Sequence, residues 1–423
     1  MKHAIVMGGS IAGLCAAAAL ARSYERVTLL ERDEDPGGPI ARRGVPQSTQ
    51  PHLLLSRGRK VLESLMPGLG AGLIADGVEE HDMGSELKWF QHGIWKISFR
   101  ADMPIWFQTR PLLEEHMRRR VRARSNVELR FGVAVDQPIH AEGVVRGVRL
   151  RDGSELLADL VVDATGRGTH SPGWLADWGY GEVEEERVEI GLAYVSGEFE
   201  PAPGRVESAG LAVFQLPPTI KRGGYAFQVE NGRWLVTMLG YHGDHPPTEP
   251  EAFVAWSRTL AQPTLQHALE GAKPTTPLRK FNYPHQLRRR YESLAKLPSG
   301  YVILGDAMCS FDPTFGQGMS IASMQAELLG KLVGRRSTQK IQAKLAKLAS
   351  IPWAMTSCEA HRWAETRGPE PFGASLLRRY AARLFELAGK YRDVYRVMLN
   401  VMQFEASPMA LIHPQMLRRV IFG

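Results

Sequence analysis

The chain has 423 residues, more than one ordinary hydrophobic core accommodates, so two or more domains are expected. Hydrophobic residues make up 44%, a globular composition, and the three cysteines (Cys15, Cys309, Cys358) are far apart with no Cys-x-x-Cys pair, which argues against a disulfide framework or a structural metal site and fits a reducing compartment. The net charge of +7 comes in local arginine clusters such as Arg118-Arg119-Arg120 and Arg288-Arg289-Arg290; no nucleic-acid module accompanies them, so they read as solvated faces and no nucleic-acid partner is expected.

Ala4-Ile5-Val6-Met7 predicts a buried strand, Gly8 to Gly13 a glycine-rich turn, residues 12–22 an alanine-dense helix, and Val27-Thr28-Leu29-Leu30 a second strand ending at Glu31. The apolar run 11–21 lies between two strands and is therefore not a signal peptide, and no other run reaches the ~20 residues that span a bilayer. A soluble, cytoplasmic protein is expected. Residues 33–51 form a loop and 56–65 a helix. The aromatics Trp89, Phe90, Trp95, Phe99, Trp106 and Phe107 alternate as in strands, and Arg110 opens a helix to about Arg124. A hairpin over 144–157 turns at Asp152-Gly153, followed by a buried strand, Leu160 to Asp163. Residues 187–242 read as strands with a turn at Asn231-Gly232, and 249–270 as helix. Tyr301-Val302-Ile303-Leu304 is the last core strand, a long helix begins near Gly318, and the tail is mostly helical.

Two segments carry ligand chemistry. In Gly8-x-Ser10-x-x-Gly13, Gly8 permits a tight turn and Gly13 close helix–strand packing. The free N–H groups at Ser10, Ile11 and Ala12, with roughly half a positive charge, suit a pyrophosphate. Glu31, with Arg32 beside it, ends the second strand where a carboxylate accepts bonds from ribose hydroxyls and repels a 2′-phosphate, so this unit is not an NADP site. In the run from Gly305 to Ser320, Asp306 is placed to accept bonds from a polyol such as a ribityl chain. Gly316 and Gly318, after Pro313, let the backbone close over a flat ring, and the helix that begins there, at Gly318-Met319, favours the negative charge of a reduced flavin.

With Asp163-Ala164-Thr165-Gly166-Arg167-Gly168 between them, these segments stand in the order found in the FAD-dependent monooxygenases of the para-hydroxybenzoate hydroxylase class, which the chain resembles from residue 4 to about 330. The resemblance implies an α/β fold: a Rossmann-type FAD-binding domain (1–82, 108–182, 283–340), an inserted antiparallel-sheet substrate domain (83–107, 183–282) and a helical C-terminal region (341–423). It places Asp163 and Gly166 where FAD and the nicotinamide cofactor are steered, and Arg43 and Arg110 at the FAD phosphate and ribityl side. Gly44-Val45-Pro46-Gln47 with His52, Arg288 to Glu292, and Cys309-Ser310-Phe311 are similar to bacterial polyether and polyene epoxidases, themselves similar to squalene epoxidase.

The resemblance therefore implies non-covalent FAD, NADPH or NADH as reductant, O₂, a flavin C4a-hydroperoxide and a lipophilic small-molecule substrate of secondary metabolism. Alkene epoxidation is favoured, with aromatic hydroxylation or a geranylgeranyl-reductase-like alkene reduction as alternatives. Epoxidation needs no catalytic base; Tyr241 and His242 read as structural, so no catalytic side chain is assigned. The aromatics from Trp89 to Phe107, with Phe214, Phe227 and Met238, are expected to wall an apolar pocket. The C-terminal segment Met409 to Phe422 is read as a helix docked on the domain in preference to a membrane-touching one.

Overall fold

The computed structural model describes residues 1–202 and 204–422. Short apolar runs form a five-stranded parallel sheet in the order Tyr301–Ile303, Leu160–Asp163, His3–Met7, Arg26–Leu30, Val127–Arg130. Ile5 lies between Val161 and Thr28, and the central strands, covered on both faces, are buried and mostly apolar. The helices Ile11–Leu20 and Gly318–Leu332 cover one face. Alanines on the first and glycine on the second let them approach: a Cβ on Gly330 would lie 3.1 Å from that of Ala19. Gln342, from the helix Thr338–Ala360, bonds both the N–H (3.0 Å) and the carbonyl (2.9 Å) of Ile303 and so covers the edge strand. A three-stranded antiparallel sheet over residues 135–157 completes this half.

The second half is a nine-stranded sheet that includes Glu185–Glu200, Trp234–Gly240, Arg222–Gln228, Gly210–Val213 and Leu87–Gln91. Alternation divides its side chains. Phe90, Val213, Ala226 and Met238 join a core under the short helices Pro250–Trp256 and Thr264–Leu269, while Trp89, Ala212 and Tyr225 point to the opposite face. The helix expected over 249–270 is broken near Pro263, which cannot continue it. The expected boundary at 282/283 cuts through the strand Arg279–Arg289, whose far end pairs with Cys309–Ser310, so the large sheet reaches into the region assigned to the nucleotide half. The C-terminal helices Ala374–Ala388 and Arg392–Met402 and the segment Pro408–Ile412 then pack over the face bearing Trp89. No described helix is long and apolar enough to cross a membrane.

Candidate active site

The first turn obeys strict steric limits. Gly8 has φ +100, and a Cβ on it would lie 2.5 Å from the Ala164 carbonyl oxygen; a Cβ on Gly13 would lie 1.8 Å from the Gly8 oxygen. Ser10 caps the helix Ile11–Leu20 in extended conformation, but its side chain makes no capping bond and no acidic residue occupies the first turn. The helix therefore presents uncapped N–H groups and positive potential at Ser10–Ala12.

Ser10 is used sideways. Its Oγ donates to Glu114 Oε1 (2.7 Å) and accepts from Arg110 Nη2 (2.8 Å). Glu114 ties Arg110 (3.0 Å) to Arg42 (3.1 Å); burial pushes its carboxyl up, but the two guanidinium charges outweigh burial and hold it below its ordinary value. Glu31 accepts from the Gly9 N–H at 2.7 Å and pairs with Arg42 at 3.0 Å. Of the neighbouring arginines, Arg43 and Arg32 are exposed, and Arg42 is the guanidinium buried at the turn, where it also donates to the Gly9 carbonyl at 3.1 Å. Two adjacent loop arginines gave no basis for choosing between them. Glu114 and His52 were missed as well. His52 lies 3.1 Å from Arg110, and burial, reinforced by Arg110, pushes its imidazole down to about 3, so it is neutral. The i,i+4 spacing of Arg110 and Glu114 was the available signal.

Asp163, expected where the cofactors are steered, stands at the end of the strand Leu160–Asp163. It is wholly buried, and its carboxylate accepts from the Thr165 N–H (2.9 Å), the Thr165 hydroxyl (2.6 Å), and the hydroxyls of Thr169 and Ser171. With every lone pair committed to its own loop, Asp163 shapes the turn that presents Gly166 and Gly168, beside which a Cβ would meet nothing within 4 Å. Arg289 stitches that turn to the next by donating to the carbonyls of Arg167 (2.9 Å) and Ala307 (3.1 Å).

The loops near residues 10 and 306 meet. Gly305 has φ +66, and a Cβ there would lie 2.9 Å from the Cβ of Ala12. Beside it Asp306 is half-buried. Burial pushes its carboxyl up against the pull of Arg167, Arg110 and Arg289, and no hydrogen bond contributes. Farther along, Asp312 accepts from the Thr314 N–H (2.9 Å), the Thr314 hydroxyl (2.7 Å) and the Tyr241 hydroxyl (2.8 Å), which fixes the turn carrying Pro313 and Gly316. Gly316 has φ +64, Gly318 faces open space, and Met319 is buried under the helix end, which again has no capping side chain. Tyr241 is buried in that network and its hydroxyl is pushed well above its ordinary value by burial and Asp312; His242 lies 3.3 Å from the Thr366 hydroxyl. Neither lines the large cavity.

These features fit a dinucleotide carrying a flat ring. Two uncapped helix ends, bare glycine backbone at 166, 168 and 318, and an unbonded carboxylate at Asp306 stand on loops that the Gly305–Ala12 and Gly8–Ala164 contacts draw together. Beside the Pro313–Gly316 turn lies a cavity of about 480 Å³. Trp89, Phe214, Tyr225 and Phe227 wall it from the sheet, Phe315 and Gly316 from the turn, and Leu384, Phe385 and Met398 from the C-terminal helices. Of the aromatics expected in the wall, Met238 and Phe90 point into the opposite core, while Phe107 stacks behind Phe227 at 4.7 Å. The C-terminal layer, expected only as helices docked on the domain, supplies the opposite wall. The cavity opens between its elements, because the lining residues Ile351, Leu377, Met409 and Ile412 are also exposed.

Comparison with known proteins agrees with this geometry. A family model described as FAD dependent oxidoreductase matches residues 4–244. Protein Rv3254 of Mycobacterium tuberculosis is 36% identical over 351 residues, 79% of this chain and 74% of that protein. Among solved structures, PqsL of P. aeruginosa in complex with 2-aminobenzoylacetate aligns with TM-score 0.66 at 19% identity, covering 85% of this chain and 98% of the other. The flavin-dependent brominase Bmp2 aligns with TM-score 0.67 at 14% identity, covering 95% and 93%. The tetrameric form of 2-methyl-3-hydroxypyridine-5-carboxylic acid oxygenase aligns with TM-score 0.60 at 20% identity, covering 86% and 90%. These three likenesses concern the fold. The family match spans the glycine turn, Glu31 and the Asp163 loop, and on that match and the curated relative this chain belongs to the FAD dependent oxidoreductase family.

Proposed function

We propose that the protein is a monooxygenase that uses non-covalent FAD, reduced by NADH or NADPH, to insert one oxygen atom of O₂ into an apolar organic substrate of secondary metabolism, with alkene epoxidation favoured. The observation that carries this reading is the apolar cavity of about 480 Å³ against the turn Pro313–Gly316. FAD, when bound, supplies the two-electron and oxygen chemistry. The chain supplies position. Ser10, Ile11, Ala12 and Gly13 would receive the pyrophosphate, with Arg110 and Arg42 organising the turn around it. Glu31, oriented by the Gly9 N–H, would take the ribose, and Asp306 the ribityl chain. Pro313, Gly316, Gly318 and Met319 would border the ring, on a turn held by Tyr241 and Asp312. The wall of Trp89, Phe214 and Phe385 excludes water from the oxygen transfer.

Epoxidation is favoured over ring hydroxylation because the described wall offers no free base. Glu359 is held by Arg362 at 2.7 Å, and the Tyr225 hydroxyl is pushed well above its ordinary value, chiefly by burial. The test is oxygen uptake by the purified, NAD(P)H-supplied protein against a panel of lipophilic alkenes and arenes under ¹⁸O₂. Labelled epoxide is expected. Reduction of an alkene without oxygen uptake would establish the reductase instead, and labelled phenol the hydroxylase.

A further inference from the structure

Twelve side chains in the described chain are large, apolar and exposed, and eight of them fall between residues 351 and 422. Ile351 (46% exposed), Leu377 (44%), Met409 (65%) and Ile412 (46%) both line the cavity and face outward, so they form its rim. Leu376 (69%), next to Leu377 on the helix Ala374–Ala388, extends the patch away from the cavity. A water-soluble surface gains nothing from such a ring, and contiguous exposed apolar patches mark interaction sites.

The charge around the patch selects the partner. Residues 341–423 hold twelve Lys and Arg against six Asp and Glu, which accounts for most of the chain's net charge of +7. Arg378, Arg383 and Arg419 are paired with Glu370, Glu386 and Asp393. Lys344 and Lys347 on the helix carrying Ile351, Arg379 on the helix carrying Leu377, and Arg418 are exposed and in no ion pair with a described residue. Apolar side chains flanked by free cations are the composition of a surface that lies on an anionic bilayer, the apolar groups reaching the acyl boundary and the cations the headgroups. Met416, by contrast, is buried, so the terminal helix Pro414–Phe422 is docked by its inner face while its outer face stays free.

We infer that the rim of the cavity seats on an anionic lipid bilayer, so that a lipophilic substrate passes from lipid into the cavity without crossing water. This rests on the cavity's being the substrate site proposed above. The absence of any described helix able to span a membrane makes the contact peripheral.

The test is flotation of the purified full chain with vesicles of phosphatidylcholine alone or with one-third phosphatidylglycerol. Wild type is expected to float with the anionic vesicles and poorly with the neutral ones, and to be released at high salt. Arg379→Gln should lower partitioning about five-fold, the effect of one charge near the surface. Leu376→Ser should lower it by a similar factor at low salt, with the protein's salt dependence unchanged. Both positions are exposed, so unchanged circular dichroism and melting certify the fold. Equal binding to both vesicle types, no flotation, or no effect of either variant would overturn the inference. So would a concentration-dependent dimer abolished by Leu376→Ser, which would mean that a second copy covers the patch. Flotation reports neither flavin nor oxygen, so its failure leaves the monooxygenase reading standing, and a failed oxygen-uptake test leaves the lipid contact standing.

Discussion

Gly305 lies against Ala12, with room for no more than a hydrogen between them: a Cβ on Gly305 would be 2.9 Å from the Ala12 Cβ, at φ +66. This contact joins the turn after the first strand of the parallel sheet to the turn after its last. Gly305→Ala combines a steric overlap with a left-handed backbone. It should lower stability by about 1–3 kcal/mol and lower the flavin-to-protein ratio after gel filtration. Gly168→Ala, whose Cβ would meet open space, should leave thermal unfolding unchanged. Equal melting shifts for the two variants would remove the close contact as the cause.

Asp306 should divide stability from cofactor retention. Burial raises its carboxyl above the ordinary range, so the folded chain holds its proton more tightly than the unfolded chain does. Stability of the flavin-free protein therefore falls as pH rises from the unfolded carboxylate value through the raised folded one. Asp306→Asn removes that loss. The flavin-free variant should melt higher than wild type at neutral pH and equally at low pH, while retaining less FAD because the ribityl acceptor is gone. A lower melting temperature at neutral pH would contradict the raised carboxyl, and unchanged FAD retention would contradict the ribityl assignment.

Ala381 lines the cavity from the helical layer opposite Trp89 and Phe214. Ala381→Trp adds an indole at that wall and should reduce substrate-dependent oxygen uptake by roughly tenfold or more, since a substrate displaced by even an ångström loses its reactive alignment. Flavin content should not change, because no cofactor-side residue lies on that helix. Undiminished uptake would mean that the reacting molecule does not enter this cavity.

The parallel sheet was legible in the sequence because doubly covered strands such as Ala4–Met7 and Leu160–Val162 are near-continuous apolar runs, and turns such as Gly8–Gly13 leave a steric signature. Alternation around Trp89 and Phe90 was legible too, but which face held the cavity depends on what covers the sheet, and so Met238 was assigned to the wrong side. The second wall was invisible for the same reason: Leu384 and Met398 read as ordinary helix positions until packing brings them over the sheet. Arg42 and Arg43 are chemically identical neighbours, and only the loop's path decides which is buried. Asp163 is a subtler case, since a carboxylate after a strand serves a ligand or its own loop equally well, and Thr165, Thr169 and Ser171 decide for the loop.

Lys96 fastens the C-terminal layer to the sheet. Its ammonium donates to the carbonyls of Gln91 (3.1 Å), Ile94 (3.4 Å) and Phe385 (3.0 Å) and lies 4.8 Å from the centre of the Phe385 ring, which walls the cavity. No carboxylate pairs with it among the described residues, and burial pushes it down to about 7. A lysine with a lowered value binds fewer protons folded than unfolded between about 7 and its ordinary 10.5, so its contribution makes the protein more stable as pH rises through that window and adds no slope below it. Lys96→Met keeps the stem's packing and removes the titration. The melting temperature of wild type minus that of the variant should therefore climb between pH 7 and 9.5 and stay flat from pH 5.5 to 6.5, with other groups cancelling in the difference. A difference that is flat throughout would mean that the folded ammonium keeps its proton at least as tightly as the unfolded one, and that its carbonyl acceptors offset its burial.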